Sequence, residues 1–143
     1  MSNFKKLSDS VFASQQISLE NVAEAVAAGM TLIVNNRPDG EDPTAPQSAD
    51  IEKAAIAAGM DYVAIPIGHS GFSEVQVNQM IEALESANGP ILAYCRSGTR
   101  STLLWALAQA KSGLNPDEIA RAAMGAGYDV SPIKPMMDML AAR

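Results

Sequence analysis

The sequence predicts a single-domain α/β fold, with a mostly parallel central sheet flanked by helices. Three observations carry that expectation. Helical and strand-like patterns alternate through the first two-thirds of the chain, which implies right-handed strand–helix–strand units. The strand-like runs are short, apolar and bounded by turn residues. The length, 143 residues, suits one domain with a sizeable core.

Taken in order, the Phe4–Ala13 segment is read as a strand or two at the sheet edge. Ser18 then precedes an apolar pattern at Leu19, Val22, Ala23 and Val26 that closes on Gly29, a capped amphipathic helix with a glycine stop. Thr31–Asn35 is a buried strand, followed by a polar, Pro/Gly-rich loop from Arg37 to Gln47. Ser48 opens a second helix with Ile51, Ala54, Ala55 and Ala58 on one face. Tyr62–Ile67 is the next strand, with Pro66 marking its edge or end. Ser73 caps a third helix striped by Val77, Met80, Ile81 and Leu84, and Asn88-Gly89-Pro90 breaks it. Ile91–Tyr94 is the third main strand and runs directly into Cys95. A helix from Thr99 to about Ala110 has few polar faces and is expected to be buried on most sides. Asn115-Pro116 starts another helix, to about Ala126, and Pro132 starts the last, with Ile133, Met136, Met137 and Leu140 on one face.

Composition narrows the function. Hydrophobic residues make up 48% and charged residues 18%, an ordinary globular balance. The net charge of -6 argues against nucleic-acid or anionic-membrane partners. One cysteine excludes an intramolecular disulfide, and no apolar stretch has signal-peptide or membrane-spanning length, so a cytoplasmic location is expected. With one cysteine and one histidine no structural zinc site is credible, and neither a phosphate-binding Walker loop nor a dinucleotide glycine fingerprint is present; no cofactor or metal is expected. The Met136, Met137 and Met139 cluster is read as packing.

One segment concentrates chemistry: Cys95-Arg96-Ser97-Gly98-Thr99-Arg100-Ser101, between a strand and a helix. The C-terminal end of a parallel strand is where open α/β sheets place sites. The amides of a tight loop entering a helix point inward and bind anions, and the same field favours the reactive thiolate. Gly98 lets the backbone turn where a β-carbon would crowd a bound ion. Ser97, Gly98 and Thr99 offer amides, Ser101 adds a hydroxyl, and Arg100 offers a fork for two oxygens of an oxyanion. A lone cysteine after an apolar strand is ordinarily a small core residue; two arginines, a glycine and three hydroxyls within the next six residues outweigh that reading. Cys95 is therefore the candidate nucleophile. Arg96 supplies positive potential at the pocket mouth. Arg37, at another strand end, is a candidate lining residue beside the Pro38-Asp39-Gly40 turn, and His69 lies in the loop after the Tyr62–Ile67 strand.

The strand–Cys–loop–Arg–Ser–helix arrangement resembles the cysteine phosphatases and the rhodanese-like sulfurtransferases. More closely, nearly the whole chain resembles the bacterial beta-lactamase-hydrolase-like, phosphatase-like domain family. The matching features are Asn35 to Glu41, Ala57 to Tyr62, Ile65-Pro66-Ile67, and Cys95 to Ser101. The resemblance implies a cysteine-phosphatase-like architecture of the compact dual-specificity kind. Two departures stand out. Phosphatases of that superfamily carry five residues between cysteine and arginine; here four separate Cys95 from Arg100, a rhodanese-like length. The aspartate that such phosphatases place beyond the strand matching Ile65–Ile67 is replaced by Gly68, His69 and Ser70. The sequence therefore favours a sulfurtransferase with a persulfide on Cys95. The alternative is a phosphatase forming a phosphocysteine, and a non-catalytic anion-binding module comes third. The expected partners are a small sulfur- or phosphate-bearing anion and a thiol acceptor.

Overall fold

A computed structural model describes residues 4–68 and 70–142. Its sheet begins with β1, Lys5–Lys6, which pairs antiparallel with β2, Val11–Ser14. Three further strands, β3 (Leu32–Asn35), β4 (Asp61–Ala64) and β5 (Ile91–Tyr94), complete the order β1-β2-β5-β3-β4. All pairings other than the first are parallel. The N-terminal segment thus contributes two strands, but only β1 is an edge; β2 lies inside the sheet against β5.

The strands form where the sequence is continuously apolar. Every residue of β3 and of β5 is buried, as expected for strands covered on both faces. One face carries α1 (Leu19–Ala27) and α2 (Ser48–Ala57), packed on Ile33, Leu92 and Tyr94. The other carries α3 (Glu74–Ser86), α4 (Thr99–Lys111), α5 (Pro116–Gly125) and α6 (Lys134–Ala141), over Val34, Ala93 and Val11. α4 is the central helix of that face; Leu104, Leu107 and Ala106 are fully buried, as its nearly all-round apolar sequence requires.

Helix starts follow the caps. Ser18 and Ser73 each accept an N–H from the third helical residue, and Asn115 accepts from Asp117 and Glu118 ahead of Pro116. Asp39, in the Pro38-Asp39-Gly40 turn, takes the Ser48 N–H at 2.8 Å, so that turn also caps α2.

Two boundaries differ from the sequence expectation. β4 closes at Ala64, yet the ladder to β3 continues through Ile65 N to Asn35 O (2.9 Å) and Ile67 N to Asn36 O (3.0 Å). Pro66 falls between these donors, on the free edge of β4, where its missing N–H costs nothing. At the C-terminus, Pro132 sits in a short 3₁₀ turn, Ser131–Ile133, and α6 starts afresh at Lys134. A helix begun at Pro132 would place Pro135 where an N–H must bond back to the preceding turn; restarting at Lys134 keeps Pro135 in a first turn. Among the described residues, no helix is long and apolar enough to cross a membrane.

Candidate active site

Four parallel strands deliver their C-terminal ends to one edge of the sheet. β2 leads to Gln16, β3 to Arg37 and Glu41, β4 to Ile67 and Gly68, and β5 to Cys95. This convergence, set by topology alone, gathers residues from four separate stretches of sequence.

The loop after β5 is built around Gly98. It caps α4 with φ +94°, a left-handed conformation. A β-carbon there would clash with the Tyr128 hydroxyl unless that side chain moved, so space as well as backbone geometry favours glycine. The Gly98 N–H donates to Cys95 Sγ at 3.1 Å. Thr102 fastens the first turn of α4 by returning both its N–H and its hydroxyl to Gly98 O, at 3.0 and 2.9 Å. The N–H groups of Thr99, Arg100 and Ser101 begin the helix and have no intrahelical acceptor behind them, the general origin of an anion site at a helix start, although the Thr99 N–H donates to Ser97 Oγ at 3.4 Å. Ser97 and Thr99 are exposed and joined through their hydroxyls. Ser101 is fully buried, and its hydroxyl has no partner among the described residues. Tyr128 Oη donates to Ser97 O at 3.2 Å, pinning the loop from outside; burial, with Cys95 nearby, pushes its own ionisation up.

Arg100 is held rigidly. Its Nη1 donates to Glu41 Oε2 (2.7 Å) and to Ile67 O (2.8 Å), and its Nη2 to Glu41 Oε1 (2.8 Å). A guanidinium has five N–H donors. These bonds use three, leaving Nε–H and one Nη2–H as a side-on fork on a guanidinium that also interacts with the Cys95 side chain. That fork is the geometry that grips two oxygens of a phosphate or carboxylate. Glu41 also takes Arg37 Nε at 2.9 Å, and Arg37 Nη1 reaches Gln16 Oε1 at 3.0 Å. Gln16 in turn donates its backbone N–H to Arg96 O at 3.1 Å. The hydrogen bonds from Arg100, and secondarily from Arg37, depress the Glu41 carboxyl from its ordinary 4.5 to about 2, against a smaller opposing effect of burial. The same contact, with Cys95 adding, raises Arg100.

Arg37, Glu41, Gly68, Arg96 and Arg100 line an open cleft of about 350 Å³. Cys95 is fully buried and does not line it, although its neighbours on the loop do. Two larger hollows, one beside β4 and one at the opposite end of the sheet, contain no arginine or cysteine in their lining. Among the described residues no cluster of three or more potential metal ligands occurs.

The structure thus brings Arg37, Arg96 and Arg100 into one cleft, with Cys95, Ser97, Gly98, Thr99 and Ser101 in the adjoining loop. His69 lies outside the described residues. Sequence reasoning missed Tyr128 and Gln16 as site components, and it placed Glu41 only within a recognisable loop. No local signal marks Tyr128 or Gln16. For Glu41 the signal is a carboxylate four residues after an arginine at a strand end, a spacing that lets one acid hold two cations.

Comparison with known proteins agrees with this architecture. The family model for the beta-lactamase hydrolase-like protein, phosphatase-like domain, matches residues 3–112. The beta-lactamase hydrolase-like protein of Agrobacterium fabrum is 39% identical over 87 residues, 61% of this chain; the matched part is only 20% of that relative. A crystal structure from Neisseria meningitidis, described as a candidate phosphatase, superposes with TM-score 0.85 at 29% identity, covering 98% of this chain and 99% of the other. The active form of Tk-PTP superposes with TM-score 0.74 at 20% identity, covering 99% and 97%, a likeness of fold alone. These findings favour the phosphatase alternative over the expectation of sulfur transfer, which gains no support from them.

Proposed function

We propose, from the premise that the chain belongs to this phosphatase-like domain family, that it is a cysteine-dependent phosphatase-type hydrolase. The observation that carries the reading is the side-on fork of Arg100, fixed by Glu41 and Ile67 O and coupled to Cys95 in the loop that starts there. In this reading the fork and the loop amides hold the oxygens of a phosphate monoester. The Cys95 thiolate attacks phosphorus, an S–P bond forms, and the P–O bond to the leaving group breaks. Water then attacks phosphorus, restores the thiolate and releases inorganic phosphate. Cys95 is fully buried, so attack requires the loop to shift enough to uncover Sγ.

No carboxylate stands between Ile67 and Phe72 to protonate a leaving oxygen. General acid catalysis is worth about 10²–10⁴-fold, so hydrolysis should favour esters of acidic phenols, whose anions leave unaided. Aryl phosphates of graded phenol acidity test this: turnover should rise steeply with acidity and vanish in Cys95→Ser. Flat dependence would mean that an acid is present.

Sulfur transfer is the second reading, favoured by one feature, the four-residue spacing between Cys95 and Arg100. Its signature is a gain of about 32 Da on Cys95 after thiosulfate treatment, one sulfur atom retained as persulfide. That gain, together with no Cys95-dependent hydrolysis of aryl phosphates, would replace the phosphatase reading.

A further inference from the structure

Arg100 and the loop amides suffice for one phosphoryl group, yet the cleft holds two more arginines. Arg37 is nearly buried, with its side chain 10% exposed, and is oriented by Glu41 and Gln16. Arg96 is exposed, lines the cleft, and makes no ion pair among the described residues. Two carboxylates temper this charge. Glu41 is committed to Arg100 and Arg37, while Asp42, close enough to feel Arg37 and Arg96, is hydrogen-bonded by Thr44 through both its N–H and its hydroxyl. The cleft remains cationic in a chain of net charge -6. Among the described residues, no aromatic side chain appears in its lining.

We infer that Arg96, with Arg37 beside it, forms a second anion subsite next to the Arg100 fork. The substrate class is then a small phosphate ester carrying a second anionic group, a phosphate or a carboxylate, a few bonds from the reacting one. The substrate class rests on the hydrolase reading above; the subsite does not. Arg96 directly follows Cys95, so its guanidinium is tied by the chain to the reacting position while its side chain spans to a neighbouring group.

Two measurements separate the subsite from the hydrolase reading. In the Cys95→Ser protein, which cannot turn over, calorimetric titration compares inorganic phosphate with pyrophosphate. Pyrophosphate should bind at least about tenfold tighter, the worth of one good charged hydrogen-bonded pair. Adding Arg96→Ala should erase most of that preference. Arg121→Ala on α5, which removes the same charge outside the cleft, should retain it. Turnover then compares 3-carboxyphenyl phosphate with phenyl phosphate in protein with Cys95 intact. The carboxylate should raise kcat/KM about tenfold, and Arg96→Ala should bring the ratio near one. Equal binding of the two anions, or a preference that Arg121→Ala lowers as much as Arg96→Ala does, overturns the subsite even if aryl phosphates are hydrolysed. A pyrophosphate preference that depends on Arg96, without turnover of any ester, upholds the subsite and overturns the hydrolase reading.

Discussion

Replacing Glu41 by Gln removes one charge while preserving shape, and its consequences can be worked from the structure. Glu41 is held by both Nη atoms of Arg100 and by Arg37 Nε, which lowers its carboxyl from 4.5 to about 2. At about 1.36 kcal/mol per tenfold change in acidity, that depression corresponds to roughly 3 kcal/mol. The Glu41 side chain is 28% exposed, so water and salt screen the pair, and about 1–1.5 kcal/mol is the better expectation. The sign is fixed by linkage. A carboxyl depressed in the folded state contributes its full stability above its unfolded value, and loses it as pH falls from about 4.5 towards 2. Urea unfolding of the native protein and of Glu41→Gln should therefore differ by about 1–1.5 kcal/mol at pH 7, and the gap should close towards pH 2. Activity should fall more than stability does. Arg100 would keep the Ile67 carbonyl but lose its two-point carboxylate anchor, and a loosened oxyanion fork should cost about 10–100-fold in kcat/KM. A stability gap that stays constant between pH 7 and pH 2.5, or native kcat/KM in Glu41→Gln, would refute the idea that this carboxylate positions Arg100 through its charge.

Gly98→Ala should destabilise the protein by about 2 kcal/mol and abolish Cys95-dependent chemistry, because it combines a left-handed backbone with a clash against the Tyr128 hydroxyl. Thermal unfolding and a turnover assay check both halves, and a native melting temperature would contradict the geometry. Alkylation of Cys95 should favour iodoacetate over neutral iodoacetamide by about tenfold relative to glutathione, since the anion is drawn to a cleft lined by three arginines and one glutamate. That preference should collapse at high salt; a ratio equal to that of glutathione would show that the cleft field does not reach the thiol.

What the sequence revealed depends on how far apart the cooperating residues stand. β3 and β5 were legible because their residues are buried on both faces and so remain continuously apolar. The loop from Cys95 to Ser101 was legible because its cysteine, its glycine and its arginine lie close together in the chain. The restart of the last helix was misplaced by two residues because Pro132 and Pro135 both carry helix-start signals, and only backbone hydrogen bonding decides between them. The Glu41–Arg100 pair joins positions 59 residues apart, and the Tyr128–Ser97 bond positions 31 apart. Such pairings follow from strand order, with β5 placed beside β3, and no local pattern encodes strand order.

The same strand order explains how Arg100 and Arg37 are held in place. An arginine left in solvent samples many rotamers, and ordering it on binding costs about 0.5–1.5 kcal/mol. Here that ordering is completed in the fold. The carbonyl of Ile67, beyond β4, and the carboxylate of Glu41, beyond β3, fix Arg100 from two directions. Arg37 is held by the same carboxylate and by Gln16 beyond β2, and the Gln16 N–H returns to the backbone of Arg96 beyond β5. Each of the four parallel strands thus contributes one fixed point to a single network. The sheet, whose β3 and β5 are the most deeply packed strands, sets the spacing of those points. On the proposed hydrolase reading, an anion entering the cleft would meet donors already aimed, and the binding free energy that would have gone into arranging them would remain available at the reacting atoms.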